Sequence, residues 1–310
     1  SAMTTRVASA VRSGPGSFDA LIRSLYRRVS LMLFVDNQFS LRRPVMIAAF
    51  EGWNDASQAA TGAIDHLLQR WESSELAAIE GEDYYDFQVN RPHVRLNKDG
   101  DRELEWPMTK VYEVSTPQLK NDFLIVRGVE PSMRWQTFVR ELLDLADDYE
   151  VASIITFGAL LADAPHTRPI PVMVTGSTSV VAQKYGISIS RYEGPTGIIG
   201  ALHDGATQRD IDAISMWASV PHYVSSPPCP KATLALIESL EDFLDVSIEL
   251  GDLTQRSQSW EKQVDEIAIE DSEVGDYVRQ LEKAKDETED ATGDSIAREV
   301  ERFLRRNSDH

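Results

Sequence analysis

Residues 44–55 read Pro-Val-Met-Ile-Ala-Ala-Phe-Glu-Gly-Trp-Asn-Asp, and the fold class turns on them. Val45 to Phe50 is a β-rich apolar run that stops at Glu51-Gly52-Trp53-Asn54-Asp55. Beyond the stop, Ala60, Ile64, Leu67, Leu68 and Trp71 recur on one helical face, with Asn54 or Asp55 as the helix cap. A strand that turns straight into a helix is the unit of an α/β protein.

The same unit recurs along the chain. A strand at Phe123–Arg127 precedes a helix with Ser132 as its cap and Phe138, Leu142, Leu145 and Ala146 on one face. Val151 to Phe157 is short, apolar and rich in β-branched residues, as a buried parallel strand requires. Further strands fit Val172–Thr175 and Met216–Val224, and helices fit Ser179–Tyr185, Ile198 to about Leu202, and Lys231–Leu244. One segment departs from the pattern: Tyr84–Trp106 reads as a hairpin, with Lys98-Asp99-Gly100-Asp101 as a turn. Alternating strands and helices predict a largely parallel sheet covered on both faces.

Three regions follow from composition. Residues 1–30 are a Ser-, Gly- and Arg-rich arm, and 31–250 form the α/β domain. Residues 251–310 are an acidic helical extension with 17 acidic and 9 basic residues and no proline. In the extension Leu253, Trp260, Ile267, Val274 and Leu281 recur every seven residues, the spacing of a coiled-coil or helical-hairpin face. Gly275 and the acidic run from Glu270 to Glu273 divide it into two helices, 285–294 read as a loop, and Ile296, Val300, Phe303 and Leu304 mark a last helix. The seam must cover either its own α/β domain or another subunit.

The 310 residues are 42% hydrophobic, enough for a sizeable core, and carry a formal net charge of −19. That charge argues against nucleic acid and against an anionic membrane surface, since both need clustered Lys and Arg. The single cysteine, Cys229, suits a reducing cytoplasm, and no apolar run reaches transmembrane length.

Four loops after strands carry the candidate chemistry. In Tyr192–His203, the Gly194-Pro195-Thr196-Gly197 turn either offers free amides to an anion at a helix N-terminus or is a tight turn with Thr196 as cap. In Asp163–Pro169, His166 could move a proton and Arg168 hold a carboxylate or phosphate; the alternative is a rigid loop whose polar groups satisfy the backbone or face a neighbouring subunit. Capping alone explains Asn54 and Asp55. In Glu130–Trp135, Trp135 walls a pocket or packs in the core, and packing is the better prior. No P-loop, dinucleotide fingerprint, His-Glu-x-x-His or Gly-x-Ser-x-Gly occurs, so no cofactor and no metal is expected.

Taken in order, Gly52-Trp53-Asn54-Asp55-Ala56, Asp86 with Arg91-Pro92, Glu130–Trp135, Ala159–Pro169, Gly194–Gly197 and Trp217–Tyr223 resemble the proteasome assembly chaperone 2 family in its actinobacterial branch. The resemblance covers roughly residues 44–250. It implies a three-layer α/β/α fold similar to purine nucleoside phosphorylases, a helical C-terminal extension and a homo-oligomer, here taken as a trimer. Eukaryotic and archaeal relatives act as chaperones for proteasome subunits, which implies a non-enzymatic interaction or assembly protein. Bacterial members are often described as ATP-grasp proteins, but no nucleotide loop or set of magnesium carboxylates supports that. The alternative is an enzyme or small-molecule binder for a nucleoside-like or phosphorylated ligand. Its site would draw on Asn54, Asp55, Glu130, Trp135, His166, Thr167, Arg168, Pro195, Thr196 and Gly197, with the Thr196–Gly197 amides and Arg168 on an anion and His166 as proton carrier.

Overall fold

The computed structural model describes residues 32–34 and 40–289. The N-terminal arm and the last helix expected near Ile296–Leu304 lie outside them. Strands β1 (Met32–Phe34), β2 (Val45–Glu51), β3 (Glu72–Ile79), β4 (His93–Leu96), β5 (Arg102–Glu105), β6 (Thr109–Ser115) and β7 (Phe123–Val129) make the first half, with helix α1 (Ala59–Arg70) after β2. The second half runs α2 (Trp135–Asp148), β8 (Ser153–Ala162), β9 (Val172–Gly176), α3 (Ser179–Tyr185), β10 (Ser188–Ile189), α4 (Ile198–Gln208), β11 (Asp212–Pro221) and α5 (Pro230–Leu244). Helices α6 (Leu253–Glu270) and α7 (Ser272–Glu289) follow.

Nine strands form one sheet in the order β1-β3-β6-β7-β2-β8-β11-β9-β10. The expected α/β/α layering is present. Val45, Ile47 and Ala49 of β2 pack toward α1 and α5, and the alternate residues Met46, Ala48 and Phe50 toward α2 and α4. Period-two alternation thus feeds two cores from one strand, which is why β2 reads as unbroken hydrophobicity. Helix α1 buries Ala60, Ala63, Ile64 and Leu67, the i, i+3, i+4, i+7 stripe that a sheet-facing helix needs. On the other face Phe138 meets Phe50 and Tyr84 edge-on, with centroids 5.9 and 5.3 Å apart.

The sheet is mixed, which corrects the expectation of a largely parallel one. Among the described strands, β7-β2-β8-β11 and the β9–β10 pair run parallel, and the other strand pairings are antiparallel. The cause is connection length. From Ser115 to Phe123 the chain has no room for a helical crossover, so β7 must return antiparallel beside β6. Asp122 clamps that return, accepting from Thr116 N (2.9 Å) and from Arg42 Nε and Nη2 (3.0 and 2.9 Å). The Arg42 guanidinium, with burial opposing it, holds the Asp122 carboxyl down at about 2.

Three local expectations also change. The Tyr84–Trp106 segment is not one hairpin: only β4 and β5 pair, and residues 84–92 are turns in which Asp86 Oδ1 accepts from Gln88 N (2.8 Å). Strand β11 starts at Asp212 and gives way to a 3-10 turn at His222–Val224. Helix α7 continues to Glu289, so 285–289 are helical rather than loop. The α6–α7 break falls at Asp271, whose Oδ1 accepts from Glu273 N and Val274 N at 2.9 and 3.3 Å.

The extension folds back on its own α/β domain. Its buried positions among the described residues are Leu253, Ser257, Val264, Gly275 and Val278, while Ile267 of the expected heptad face is 47% exposed. A straight α-helix drifts from a seven-residue repeat by about 20° per heptad. The face that meets α5 therefore tracks 3.6 rather than 3.5 residues per turn, and Ile267 rotates out.

Candidate functional site

The parallel strands β2, β7, β8 and β11 point their carboxyl ends at one edge of the sheet, where ligands of open α/β sheets bind. Three loops at that edge are tied by one carboxylate. Glu130, just past β7, accepts from Asn54 Nδ2 and from Ile198 N, both at 2.8 Å and both on Oε1. Ile198 is the first residue of α4, so Glu130 rather than Thr196 satisfies that helix end, and its charge complements the dipole. Gly197 is where the loops meet. A Cβ there would lie 2.3 Å from Asn54 Oδ1 and 2.7 Å from Glu130 Oε1, so no larger residue fits without parting the pair. The amide next to the Thr196–Gly197 pair expected to meet an anion, that of Ile198, is thus occupied by a carboxylate of the same chain. Asn54 is fully buried, and its Oδ1 has no hydrogen-bond partner.

Asp55 next to it is the cap that the sequence suggests, by an unusual route. Its Oδ1 accepts from Ala60 N (2.8 Å) and Thr61 N (3.2 Å), and its Oδ2 accepts from the Thr61 hydroxyl. The reach of five residues is made by Ser57 and Gln58, both left-handed at φ 52° and 54°. Burial raises the Asp55 pKa, and the three hydrogen bonds oppose that shift. Asn54 caps nothing. Its carbonyl instead accepts from Ala159 N at 2.8 Å, pinning the loop to β8.

Ser132 is also not a cap. Its Oγ accepts from Asp86 N and Asn90 Nδ2, both at 3.1 Å, and ties down the 86–90 turn. Left-handed Arg134 (φ 58°) stands at the start of α2 instead. Trp135 packs against the α2 side of the core and donates from Nε1 to Pro131 O at 2.6 Å. Pro195 and Thr196 lie on the surface, the Pro195 carbonyl accepting from Tyr192 Oη at 2.9 Å.

The His166 loop forms a second, separate group. The His166 ring is fully buried, with Nδ1 2.7 Å from Tyr223 Oη and Nε2 3.0 Å from Asp265 Oδ1 of α6. Tyr223 Oη already accepts from His166 N at 2.8 Å. Its single proton therefore goes to Nδ1, which assigns the Nε2–H to Asp265. Burial pushes the Tyr223 hydroxyl up to about 12. Thr167 Oγ1 donates to Glu282 Oε1 at 2.5 Å, and Arg168 grips Asp286 through Nε and Nη2, both at 2.8 Å. Lys231 bridges the His166 carbonyl to Glu261, and Tyr277 Oη donates to Asp163 at 2.9 Å. Helices α6 and α7 thus cover the loop that the sequence offered as an anion and proton site.

Ten residues were candidates. Asn54, Asp55, Glu130 and Gly197 come together; His166, Thr167 and Arg168 come together elsewhere, with no partner in common with the first group. Tyr223, Lys231, Asp265, Glu282 and Asp286 were missed. Asp265, Glu282 and Asp286 belong to the acidic helical extension, which reads as a solvated face when nothing tells what lies opposite, while Tyr223 and Lys231 flank the proline-rich turn before α5. Two cavities lie away from the His166 group, the smaller reaching Thr61, which bonds Asp55. One of about 240 Å³ is lined by Gln58, Thr61, Asp65, His66, Arg127 and Arg256. The other, of about 740 Å³, lies between the β4–β5 hairpin and α1, lined by Arg91, His93, Arg95, Glu105, Lys110 and Arg127. Arg127 is held by Glu51 (2.6 Å) and Asp65 (3.0 Å).

The sequence profile of the PAC2 family matches residues 49–268. This chain belongs to the PAC2 family. Similar solved structures include a PAC2 family protein from Streptomyces avermitilis, 50% identical, with 76% of this chain and 99% of that one covered and a TM-score of 0.71. A Mycobacterium tuberculosis protein described as a proteasome-assembly chaperone homologue is 46% identical, over 76% and 99%, with a TM-score of 0.69. The archaeal proteasome activator PbaB of Pyrococcus furiosus, 17% identical over 76% and 97% with a TM-score of 0.61, shares the fold. Among curated proteins, none matches. Among the described residues of this PAC2 protein, no helix is long and apolar enough to cross a membrane.

Proposed function

We propose that this PAC2 protein is a non-enzymatic, chaperone-like assembly factor acting on other protein subunits in the cytoplasm. One observation carries the reading. The charged side chains best placed to handle a small ligand, Asp55, Glu130, His166 and Arg168, are each bonded within the chain. What the fold offers outward is surface. The 46%-identical relative described as a proteasome-assembly chaperone homologue makes unassembled proteasome subunits the first clients to test. Purified subunits from the same cell would be mixed with and without the protein, and ring formation followed by native mass spectrometry. Faster or more complete rings are expected; unchanged kinetics with no protein–subunit complex would overturn the proposal.

A second reading rests on the 740 Å³ cavity, where Arg91 stands with Arg95, Lys110 and Arg127, the last three ion-paired to Glu105, to Glu75 and to Glu51 with Asp65. It makes the protein a binder of a phosphorylated or nucleoside-like ligand. A thermal-shift screen with phosphate, nucleosides and nucleotides separates the two, since a ligand that binds the native state raises its melting temperature.

A further inference from the structure

The smaller cavity, of about 240 Å³, is lined by Asp65, His66 and Gln69 of α1, by Pro228 and Pro230 at the head of α5, and by Arg256 of α6. Helical spacing puts the three α1 residues on one side of that helix, away from its Ala60–Ala63–Ile64–Leu67 core stripe.

His66 is only 5% exposed. Its Nε2 lies 2.9 Å from the Glu249 carbonyl. A carbonyl only accepts, so Nε2 carries the hydrogen. Burial holds the His66 pKa below the ordinary range; the Glu249 carbonyl opposes that shift, and the charges of Arg70 and Arg256 add to it. The ring is therefore neutral near neutral pH, and its Nδ1 is an acceptor. Nδ1 has no partner among the described residues, and it is not one of the polar atoms sealed off from solvent. It opens onto the cavity that the ring lines.

Arg256 is the charged counterpart. It is exposed, and its guanidinium makes no hydrogen bond or ion pair among the described residues. Arg127, also on the wall, is already held by Glu51 and Asp65. Leu253, the first residue of α6, lines the same cavity, and no side chain caps that helix. The positive end of its dipole adds to Arg256. The Gln58 and Gln69 carboxamides are likewise unbonded, and each can donate or accept.

We infer that this cavity binds a small hydroxy acid, whose hydroxyl donates to His66 Nδ1 and whose carboxylate meets Arg256. An anion without a hydroxyl leaves the buried His66 acceptor unmet, and a neutral polyol leaves Arg256 without a counter-charge. A cavity of about 150 Å³ holds a benzene ring, so this one has room for about ten non-hydrogen atoms. It shares Gln58, Asp65 and Arg127 with the 740 Å³ cavity, but neither His66 nor Arg256. The site is independent of the assembly role.

The test is isothermal titration calorimetry on the full chain with glycerate, with propionate, which lacks the hydroxyls, and with glycerol, which lacks the carboxylate. Glycerate should bind about tenfold more tightly than either, since each control forfeits one partner. Arg256→Ala should lower glycerate to the affinity of glycerol, and His66→Leu to that of propionate. Arg91→Ala, in the larger cavity alone, should change nothing. Because His66→Leu also strands the Glu249 carbonyl, the wild-type ring supplies a second measurement. Its Nδ1 resonance in nitrogen-15 NMR should move with glycerate and not with propionate. No binding of glycerate at millimolar concentration, equal affinity for glycerate and propionate, or an Arg256→Ala protein that binds as wild type would each overturn the site. Loss of glycerate binding in Arg91→Ala would overturn it as well, by placing the acid in the larger cavity.

Discussion

Replacing Glu130 by alanine tests whether the meeting of three loops is a structural lock or a ligand site. The substitution removes the acceptor of Ile198 N at the start of α4, a cap loss of about 0.5–2 kcal/mol. It also strands Asn54 Nδ2, which is buried and has Glu130 as its partner, at about 1–3 kcal/mol for an unsatisfied donor. The two add to about 1.5–5 kcal/mol, because both bonds end on one oxygen and vanish together. For a folded region of this size each kcal/mol moves the melting temperature by about 2–4 °C, so calorimetry should find a drop of roughly 3–20 °C, with a matching fall in the urea midpoint at unchanged slope. Asn54→Ala removes the other end of one bond. In Glu130→Ala/Asn54→Ala the stranded donor is gone, so the double variant should be less destabilised than the two singles added together. An additive cycle, or Glu130→Ala within about 0.5 kcal/mol of wild type, would refute the lock. If ligand binding disappeared while stability held, Glu130 would instead belong to a working site.

Three further outcomes follow from particular side chains. Burial pushes the His203 ring down to about 4, beside Thr156 Oγ1 at 2.9 Å. The unfolded chain, with His near 6.5, takes up a proton that the folded chain refuses, so stability should fall as pH drops from about 6.5 to about 4, by about 2 kcal/mol once the partly exposed edge of the ring is allowed for. Urea midpoints at pH 7 and 4.5 measure it, and His203→Gln should lose that slope; an equal slope in the variant would assign the effect to other groups. Arg168→Ala frees Asp286 of α7 from the His166 loop and leaves Glu282 held by Thr167, so amide exchange in 277–287 should quicken several-fold while β2 and β8 exchange as before. Cys229, fully buried and pushed by that burial up to about 11, should resist thiol reagents until denaturant is added, and rapid labelling of the native protein would contradict its placement.

Much of the fold was legible because its strongest signals are local. The Val45–Phe50 run, the α1 stripe and Pro230 at the head of α5 each point to one element without help from distant residues. Strands β3 and β6 escaped the reading for the opposite reason. Glu72-Ser-Ser-Glu75 holds no apolar residue and Thr109-Lys-Val-Tyr-Glu113 lacks clean alternation, and they are strands because they pair with each other, β3 also with β1 and β6 also with β7. Pairing partners decide such segments more than intrinsic preference does. The direction of the outer strands was hidden in the same way, since parallel or antiparallel is settled by connection length once the strands are known.

The candidate site was legible as a set of loops but not as a set of contacts. Gly197 stood out as a turn residue, yet its need for glycine comes from Asn54 and Glu130, 143 and 67 positions away in the sequence. Ser132 followed by a helix looks like a cap from sequence alone, and only the 86–90 turn beside it explains why its hydroxyl points elsewhere. His166 and Arg168 had the chemistry of a proton carrier and an anion clamp, but chemistry at a position is not availability. A buried imidazole with both nitrogens engaged, and a guanidinium bidentate to its own chain, have spent the groups that a ligand would need. In this chain the acidic extension reaches the strand ends first. If that cover is permanent, the α/β domain is a scaffold. If α6 and α7 lift, Asp265, Glu282 and Asp286 leave the His166 loop and the Tyr223–Tyr277 contact opens with them, so exchange in 277–287 also decides between scaffold and latent site.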